Sequence, residues 1–242
     1  IYGYMAKLFI FSLLAFSMLV FSACAKSPND DLKGNPIKSG KIKIALTFDD
    51  GPVENTKRIL DILAKNKAKA TFFIQGSYAE KDKDTVRRMA ELGMEVANHT
   101  YTHISLTNNN VESFMEELNK SDDLIESLTH KKTTILRFPG GAYGYSEKLI
   151  EKIPYSIFNW TTDTKDWQAN NTKDIIDKIR ASKDGDILFL HDYPTITARA
   201  LEESLPELIN EGYEFMTLSE LAKANGITLK LGTIYDGLKK NN

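Results

Sequence analysis

Two adjacent carboxylates, Asp49 and Asp50, end the first apolar run of the chain. The run is IALTFDDGP over residues 44–52, a pattern typical of a buried strand followed by a Gly-Pro turn. Successive side chains of a strand point to opposite faces, but both can reach one pocket where the backbone turns away at the strand end. Because two close carboxylates repel each other, we expect a cation beside them. An Asp-Gly turn with two solvated acids is the alternative.

Two of the four histidines, His99 and His103, lie four residues apart in the segment HTYTH. That spacing would place both imidazoles on one side of a helical turn, close enough to bind one cation. A coincidental surface pair is the alternative. We take Asp50 as the third ligand, since two His and one Asp leave coordination positions open, as in a catalytic metal site. Asp49 is then free to take a proton from a water on the metal.

The elements that must position these residues alternate between short apolar runs and amphipathic helical patterns. This order indicates parallel βα units in one α/β domain, and the count favours a barrel of fewer than eight strands. Seven strands are predicted, at residues 44–52, 70–74, 94–98, 134–138, 155–159, 186–191 and 213–216. Functional residues in such barrels sit at the carboxyl ends of strands. The polar residues found at or just after predicted strand ends are Asp49, Asp50, His99, Arg137, Asp166 and His191.

Five segments occur in a fixed order: TFDDGP, HTYTH, RFPGG, DTKDW and LFLHD. In this order they resemble the signature segments of the polysaccharide deacetylase family, the NodB homology domain or carbohydrate esterase family 4. The resemblance covers about residues 41–221. It implies a distorted (β/α) barrel, usually with seven strands, that removes acetyl groups with one divalent metal ion. Zinc is the first choice for an Asp/His₂ site, with cobalt, nickel or manganese as alternatives.

The resemblance also implies roles for four residues of the reaction. Asp49 would be the general base, and Arg137 would pair with it and keep it ionised; a simple strand-end salt bridge is the alternative for Arg137. His191 resembles the general acid that protonates the departing amine. Asp166 would hold His191, with Asp163 as the alternative.

The family pattern further implies a sugar groove and an acetyl pocket. Trp167 resembles the aromatic wall of the groove, a core Trp being the alternative. Gly140 stands where the family commonly has Tyr, so its backbone N–H remains as an oxyanion donor and Tyr143 would replace the missing side chain. Phe189 stands where the family has Leu, and with Leu190 it would line the pocket for the acetyl methyl group.

The composition and the N-terminal segment limit the classes of partner that the protein could bind. The 242 residues carry a net charge of −2 without a basic block, which argues against a nucleic-acid partner. Residues 1–25 contain an apolar run followed by small residues, which predicts a secretion signal. The single cysteine, Cys24, excludes an intramolecular disulfide and stands in a lipobox-like setting, which would attach the protein to the membrane by acylation. Ordinary cleavage after Ala25 is the alternative.

The remaining chain is divided into a flexible tether at 26–40, the deacetylase-like domain at 41–226 and a tail at 227–242. Export favours peptidoglycan or another N-acetylated envelope glycan as substrate, followed by chitin-type oligomers. An O-acetyl xylan esterase and a catalytically idle envelope-binding protein remain open. A glycoside hydrolase fits poorly, because it needs two carboxylates on either side of the glycosidic bond.

Overall fold

A computed structural model describes residues 41–240 of the chain as an α/β domain. The predicted secretion signal, Cys24 and the tether lie outside these residues. The strands are β1 (Ile42–Gly51), β2 (Thr71–Ile74), β3 (Glu95–Asn98), β4 (Ile135–Leu136), β5 (Ser156–Phe158), β6 (Thr162–Asp163), β7 (Ile187–His191), β8 (Tyr213–Met216) and β9 (Thr233–Tyr235). The helices are α1 (Glu54–Lys65), α2 (Gly76–Ala79), α3 (Lys83–Glu91), α4 (Val111–Thr129), α5 (Glu147–Ile150), α6 (Thr172–Arg180), α7 (Thr195–Asn210) and α8 (Leu218–Ala224).

The strands form one parallel sheet in the order β6-β7-β1-β2-β3-β4-β5-β9, with β8 paired to β1. The path starts at β6 and ends at β9 without closing, so the sheet is a distorted, open barrel and the predicted fold class is confirmed. All seven predicted strands are present. The two that were not predicted, β6 and β9, have only two and three residues. Strands β4 and β5 are equally short, but they lie within the longer predicted runs 134–138 and 155–159.

Strand β1 is the centre of the sheet. Its first half pairs with β8, its middle with β7 and its end with β2. A strand with neighbours on both edges and helices over the sheet is apolar on both faces, which accounts for the run IALTF. The register pairs Asp49 with His191. Two groups 142 residues apart in sequence are therefore neighbours at the carboxyl edge.

The buried hydrophobic side chains of residues 41–240 form three clusters, one of which lies around Phe114, Phe138 and Ile157. An outer cluster packs side chains of the strands against α1, α3, α6 and α7, with Leu46, Ile59 and Leu201 among its fully buried members. An inner cluster fills the concave side of the sheet with Phe73, Phe158 and residues of α8. No helix within residues 41–240 is both long and apolar enough to cross a membrane.

The domain does not end at residue 226, so the predicted boundary before a separate tail is wrong. Strand β9 pairs with β5, and Leu238 is fully buried. The Leu238 carbonyl accepts a hydrogen bond from Asn225 Nδ2 at 2.7 Å. A three-residue strand among polar residues gives no periodic signal, which is why the sequence did not reveal it.

Candidate active site

A bulge at the end of β1 lets Asp49 and Asp50 face the same place. The register with β2 shifts between Asp49 and Gly51, and Asp50 has φ 76°. This left-handed conformation is uncommon outside glycine and redirects the side chain of the extra residue. As a result, Asp49 Oδ2 and Asp50 Oδ1 lie 3.7 Å and 3.6 Å from the same atom, Nε2 of His99.

Asp50, His99 and His103 form a set of potential metal ligands. One ligand atom from each lies within 4.8 Å of the others, and His103 Nε2 is 3.2 Å from Asp50 Oδ1. His99 Nδ1 donates to the carbonyl oxygen of Arg137 at 2.8 Å. The lone pair of the neutral ring is therefore on Nε2, which faces Asp50. Two imidazoles and a carboxylate, one ring oriented by its other nitrogen, suit a divalent metal ion.

The electrostatics of Asp50 and His99 favour the forms that bind metal, whereas the hydrogen bond with Asp50 raises the pKa of His103 and favours its protonated form in the metal-free protein. Burial lowers the pKa of His99, which keeps the imidazole neutral. Burial alone raises the pKa of Asp50, but the hydrogen bonds with His103 and Gln75 and the charge of His103 outweigh it and bring the pKa to about 2. Asp50 is thus an anion across the neutral pH range.

The segment between His99 and His103 is not the helical turn that we predicted. Thr100 and His103 have φ values of 64° and 65°, so the chain is an irregular loop. Its backbone groups bond to side chains and helices outside the loop, and these partners were not visible in the spacing of the histidines. The ring centroids of His99 and His103 are nevertheless 5.0 Å apart.

Arg137 is fully buried, and its guanidinium donates hydrogen bonds to several acceptors. Nη1 donates to Asp49 Oδ1 at 2.7 Å and to Thr47 Oγ1 at 2.8 Å. Nε and Nη2 donate to the carbonyl oxygens of Phe158 and Asn159 at 3.1 Å and 2.8 Å. A buried charge is tolerated when it is paired and hydrogen bonded. The pairing occupies Oδ1 of Asp49 and leaves Oδ2 facing His99, one of the potential metal ligands.

His191 is held by Asp166 rather than by Asp163. Asp166 Oδ1 is 2.9 Å from His191 Nδ1, and its Oδ2 accepts from the His191 backbone N–H at 2.7 Å and from Thr197 Oγ1 at 2.6 Å. Asp163 instead accepts from a backbone N–H of its own loop. Burial lowers the pKa of His191, but the bond and charge of Asp166 outweigh it and raise the pKa overall. His191 Nε2 lies 4.0 Å from Asp50 Oδ2.

Gly140 presents a backbone donor at the same edge. The N–H groups of Gly141 and Ala142 donate hydrogen bonds to the carbonyl oxygen of Phe138 and to Asn159 Oδ1. Within residues 41–240, the N–H of Gly140 makes no hydrogen bond to protein. Gly140 is exposed, has φ 80° and has no atom near the position of a Cβ. It is therefore an accessible donor.

A row of aromatic rings continues from His191 in both directions. Ring centroids are 5.1 Å apart for His191 and Tyr193, 4.6 Å for His191 and Phe189, 4.0 Å for Phe189 and Trp160, and 5.8 Å for Trp160 and Tyr143. Sequence reasoning missed Trp160 and Tyr193. Trp160 lies just after β5, and Tyr193 lies two residues after His191. Their positions beside a predicted strand and a predicted site residue were the signal that could have identified them.

Two further predicted site residues have different outcomes. Trp167 is 55% exposed, which excludes the alternative of a core Trp. Leu190 is fully buried in the outer cluster and is not part of the site. Side chains alternate along β7, so Phe189 and His191 share one face while Leu188 and Leu190 point to the helices.

Sequence reasoning also missed residues that support the β1 end. Gln75 Nε2 donates to Asp50 Oδ1 at 2.9 Å. Asp192 is buried, and its Oδ2 accepts from Thr56 Oγ1 at 2.5 Å. Burial raises the pKa of Asp192 to about 7. A Cβ on Gly51 would lie 1.8 Å from Asp192 Oδ2, so the last residue of LFLHD packs directly on the glycine of TFDDGP.

The family model of polysaccharide deacetylases matches residues 37–157. The chain belongs to this family. The matched region includes Asp49, Asp50, His99, His103 and Arg137. Asp166 and His191 follow it, and the geometry given above connects them to the matched half.

Relatives within the polysaccharide deacetylase family are described as acting on different acetylated glycans. Peptidoglycan-N-acetylmuramic acid deacetylase PdaC of Bacillus subtilis is 36% identical over 74% of this chain and 38% of its own length. A peptidoglycan-N-acetylglucosamine deacetylase of Bacillus cereus is 33% identical over 74% of this chain and 88% of its own. The chain thus spans about two fifths of PdaC and most of the B. cereus relative.

A solved structure in the same family carries a metal. It is a family 4 acetyl xylan esterase from Clostridium thermocellum in complex with a cobalt ion, with a TM-score of 0.74 at 28% identity. The match covers 81% of this chain and 98% of the esterase.

Proposed function

We propose that this polysaccharide deacetylase hydrolyses N-acetyl groups of a cell-envelope glycan, releasing acetate and leaving a free amine. One observation carries the proposal. A carboxylate and an imidazole both approach the Asp50–His99–His103 set. Asp49 Oδ2 lies 3.7 Å from His99 Nε2, and His191 Nε2 lies 4.0 Å from Asp50 Oδ2. A base and an acid at one metal site are what amide hydrolysis requires.

Asp50, His99 and His103 are the residues that would hold the metal ion. When bound, a divalent cation makes a coordinated water more acidic and polarises the substrate carbonyl. The donor set accepts zinc and its neighbours cobalt, nickel and manganese. The cobalt ion in the related esterase supports a metal of this class.

Asp49 would act as the base through Oδ2, because Oδ1 is occupied by Arg137. It takes a proton as the water oxygen bonds to the acetamide carbon. The N–H of Gly140 donates to the oxyanion that forms. His191, its Nδ1 held by Asp166, gives the proton on Nε2 to the nitrogen as the carbon–nitrogen bond breaks. The acetic acid formed releases the second water proton to solvent, so acetate and a primary amine leave, and the proton on Asp49 passes through solvent to His191, which restores both side chains.

The substrate we favour is peptidoglycan, with its N-acetylglucosamine unit ahead of chitin-type oligomers. Two arguments support a polymer. A relative of similar length is described as a peptidoglycan deacetylase, and the rings of Tyr143, Trp167 and Tyr193 are exposed. Aromatic faces suit the apolar faces of sugar rings. We also propose export through residues 1–25 and a lipid anchor on Cys24, which suit an envelope substrate.

The test is acetate release from N-acetylglucosamine oligomers and from purified peptidoglycan, with metal-stripped protein beside protein resupplied with Zn²⁺ or Co²⁺. We expect acetate from one of them only when metal is present. Analysis of the reduced and hydrolysed peptidoglycan would assign the amine to glucosamine or to muramic acid. Acetate formation that is unchanged in metal-stripped protein would contradict the proposal.

An O-acetyl esterase is a second candidate, favoured by Phe189. Its ring stacks on Trp160 at 4.0 Å, where the family commonly has a leucine at the acetyl pocket, and the matched esterase acts on acetyl xylan by its description. Acetylated xylan should be assayed in parallel. Release from xylan alone would favour the esterase, and metal binding without release from any substrate would favour an idle binding protein.

A further inference from the structure

The loop 100–102, between the two histidines of the proposed metal site, has its backbone groups bonded to elements outside the loop. On one side, the N–H groups of Gly76 and Ser77, at the start of α2, donate to the carbonyl oxygens of Thr100 and Tyr101 at 3.0 Å and 2.8 Å. The Thr100 N–H donates to a side-chain oxygen of β3 at 2.8 Å. One face of the loop is thus fixed by the backbone of a neighbouring helix.

Further contacts to the loop come from α4, where Lys120 Nζ lies 3.5 Å from the ring centroid of Tyr101 and where Glu117 binds the loop backbone. Glu117 Oε2 accepts from the backbone N–H of Tyr101 at 3.0 Å and from that of Thr102 at 2.6 Å. Its Oε1 accepts from Thr102 Oγ1 at 3.0 Å. Hydrogen bonds to an ionised carboxylate are about twice as strong as those between neutral groups, so one residue supplies both backbone acceptors on this side.

This support matters because the loop holds an unfavourable conformation. Left-handed residues stand at Thr100 and His103, with φ values of 64° and 65°. This conformation is unfavourable for a non-glycine residue and persists only where its surroundings impose it. His103 is also the more exposed imidazole, with 42% of its side chain accessible. The loop preceding it, rather than core packing, must therefore set its position.

We propose that Glu117 is a positioning residue for the metal site: it holds loop 100–102 so that His103 stays within reach of Asp50 and His99. The inference rests on the proposed function only for the identity of the ligands. Glu117 touches neither metal nor substrate. Without it the loop populates other conformations, and the apparent affinity for metal falls by the fraction of molecules in the competent one.

The experiment measures Zn²⁺ affinity of the 242-residue chain by competition with a chromophoric chelator. Residues that orient metal ligands typically contribute 10–100-fold in affinity, and we expect a loss in this range for Glu117→Ala. Glu117→Gln keeps a side-chain oxygen and the size of Glu117 but not its charge. Its Zn²⁺ affinity should lie between those of the unaltered protein and Glu117→Ala. Glu116→Gln, at the exposed preceding position of α4, is the matched control and should bind as the unaltered protein does.

A merely structural role would give another pattern. In that case Glu117→Ala and Glu117→Gln lower the melting temperature of the metal-free protein but leave Zn²⁺ affinity within twofold of the control, and the inference is overturned. Glu117→Gln keeps the experiment decisive where Glu117→Ala does not fold. His103→Ala separates the two proposals. If His103→Ala also keeps its Zn²⁺ affinity, the proposed metal site itself is wrong.

Discussion

The chemistry available to each side chain depends on which of its atoms is already hydrogen bonded. Asp49 has Oδ1 taken by Arg137, His99 has Nδ1 taken by a carbonyl, and His191 has Nδ1 taken by Asp166. In each case the remaining atom faces the same space. The three residues thereby differ in the roles that we propose for them: base, ligand and acid. The assignment rests on these partners as much as on residue type.

The proposed base is tested by Asp49→Asn. The amide keeps an oxygen for Arg137 Nη1 but cannot accept the water proton, so kcat should fall about 10²–10⁴-fold while Zn²⁺ binding persists. Steady-state acetate release and chelator competition measure the two effects. Asp123→Asn, an exposed aspartate of α4, is the control. A variant with most of its activity would show that another group is the base.

The proposed acid is tested by the pH profile of Asp166→Asn. His191 must carry a proton to donate it, and Asp166 raises its pKa, which extends activity to higher pH. Removing that negative charge should move the basic limb of the kcat profile to lower pH. Equal melting temperatures at each pH would exclude unfolding as the cause. A basic limb that stays in place would argue against His191 as the group that titrates there.

At the scale of elements, the site depends on the close contact between the ends of β1 and β7. Gly51 packs against the carboxylate of Asp192, and that carboxylate accepts from Thr56 at the start of α1. The contact connects the loop after Asp50 to the residue after His191. It therefore fixes the proposed base and acid relative to each other, although neither Gly51 nor Asp192 has a proposed role in proton transfer.

Gly51→Ala tests that contact. A methyl group 1.8 Å from Asp192 Oδ2 forces one strand end to move, and we expect a loss of about 1–3 kcal/mol in the free energy of unfolding together with a large loss of kcat. Chemical denaturation provides the first value. Combining Gly51→Ala with Asp192→Ala removes the obstacle, so the two losses should not add. Strict additivity would show that Asp192 is not the obstacle.

Much of this arrangement could be predicted from the sequence. Strand-end placement brought Asp49, His99, Arg137 and His191 to one edge, because parallel strands align their carboxyl ends. The bulge at Asp50 could not be predicted, since backbone conformation at a single residue depends on tertiary contacts. The irregular loop before His103 was mistaken for a helical turn for the same reason.

Leu190 is a different kind of error, because the information was present in the sequence. Alternation along a strand places it opposite His191, and its burial against the helices follows. The same rule puts Phe189 on the face of His191. Strands β6 and β9 are too short for any such rule.

At the scale of the whole molecule, bound metal should stabilise the fold, because its proposed ligands come from β1 and from the loop after β3. Ligand at 100 times its dissociation constant adds about 2.7 kcal/mol to the free energy of unfolding. Chelation should therefore lower the melting temperature, measured by calorimetry, and Zn²⁺ should restore it. In His103→Ala the chelator should have no effect. A melting temperature insensitive to chelator in the unaltered protein would contradict the metal site.

The central place of β1 has a consequence for the order in which the protein can be made. Thr47 of β1 bonds to Leu188 of β7, 141 residues later, and the opposite edge of β1 also waits for β8. A chain synthesised from its amino end makes β1 and its neighbour β2 early, but completes the other two neighbours, β7 and β8, almost last. Contacts so distant in sequence slow folding. Until β7 and β8 emerge, the apolar strand that bears both aspartates has free edges, so a growing chain has neither activity nor protection from aggregation.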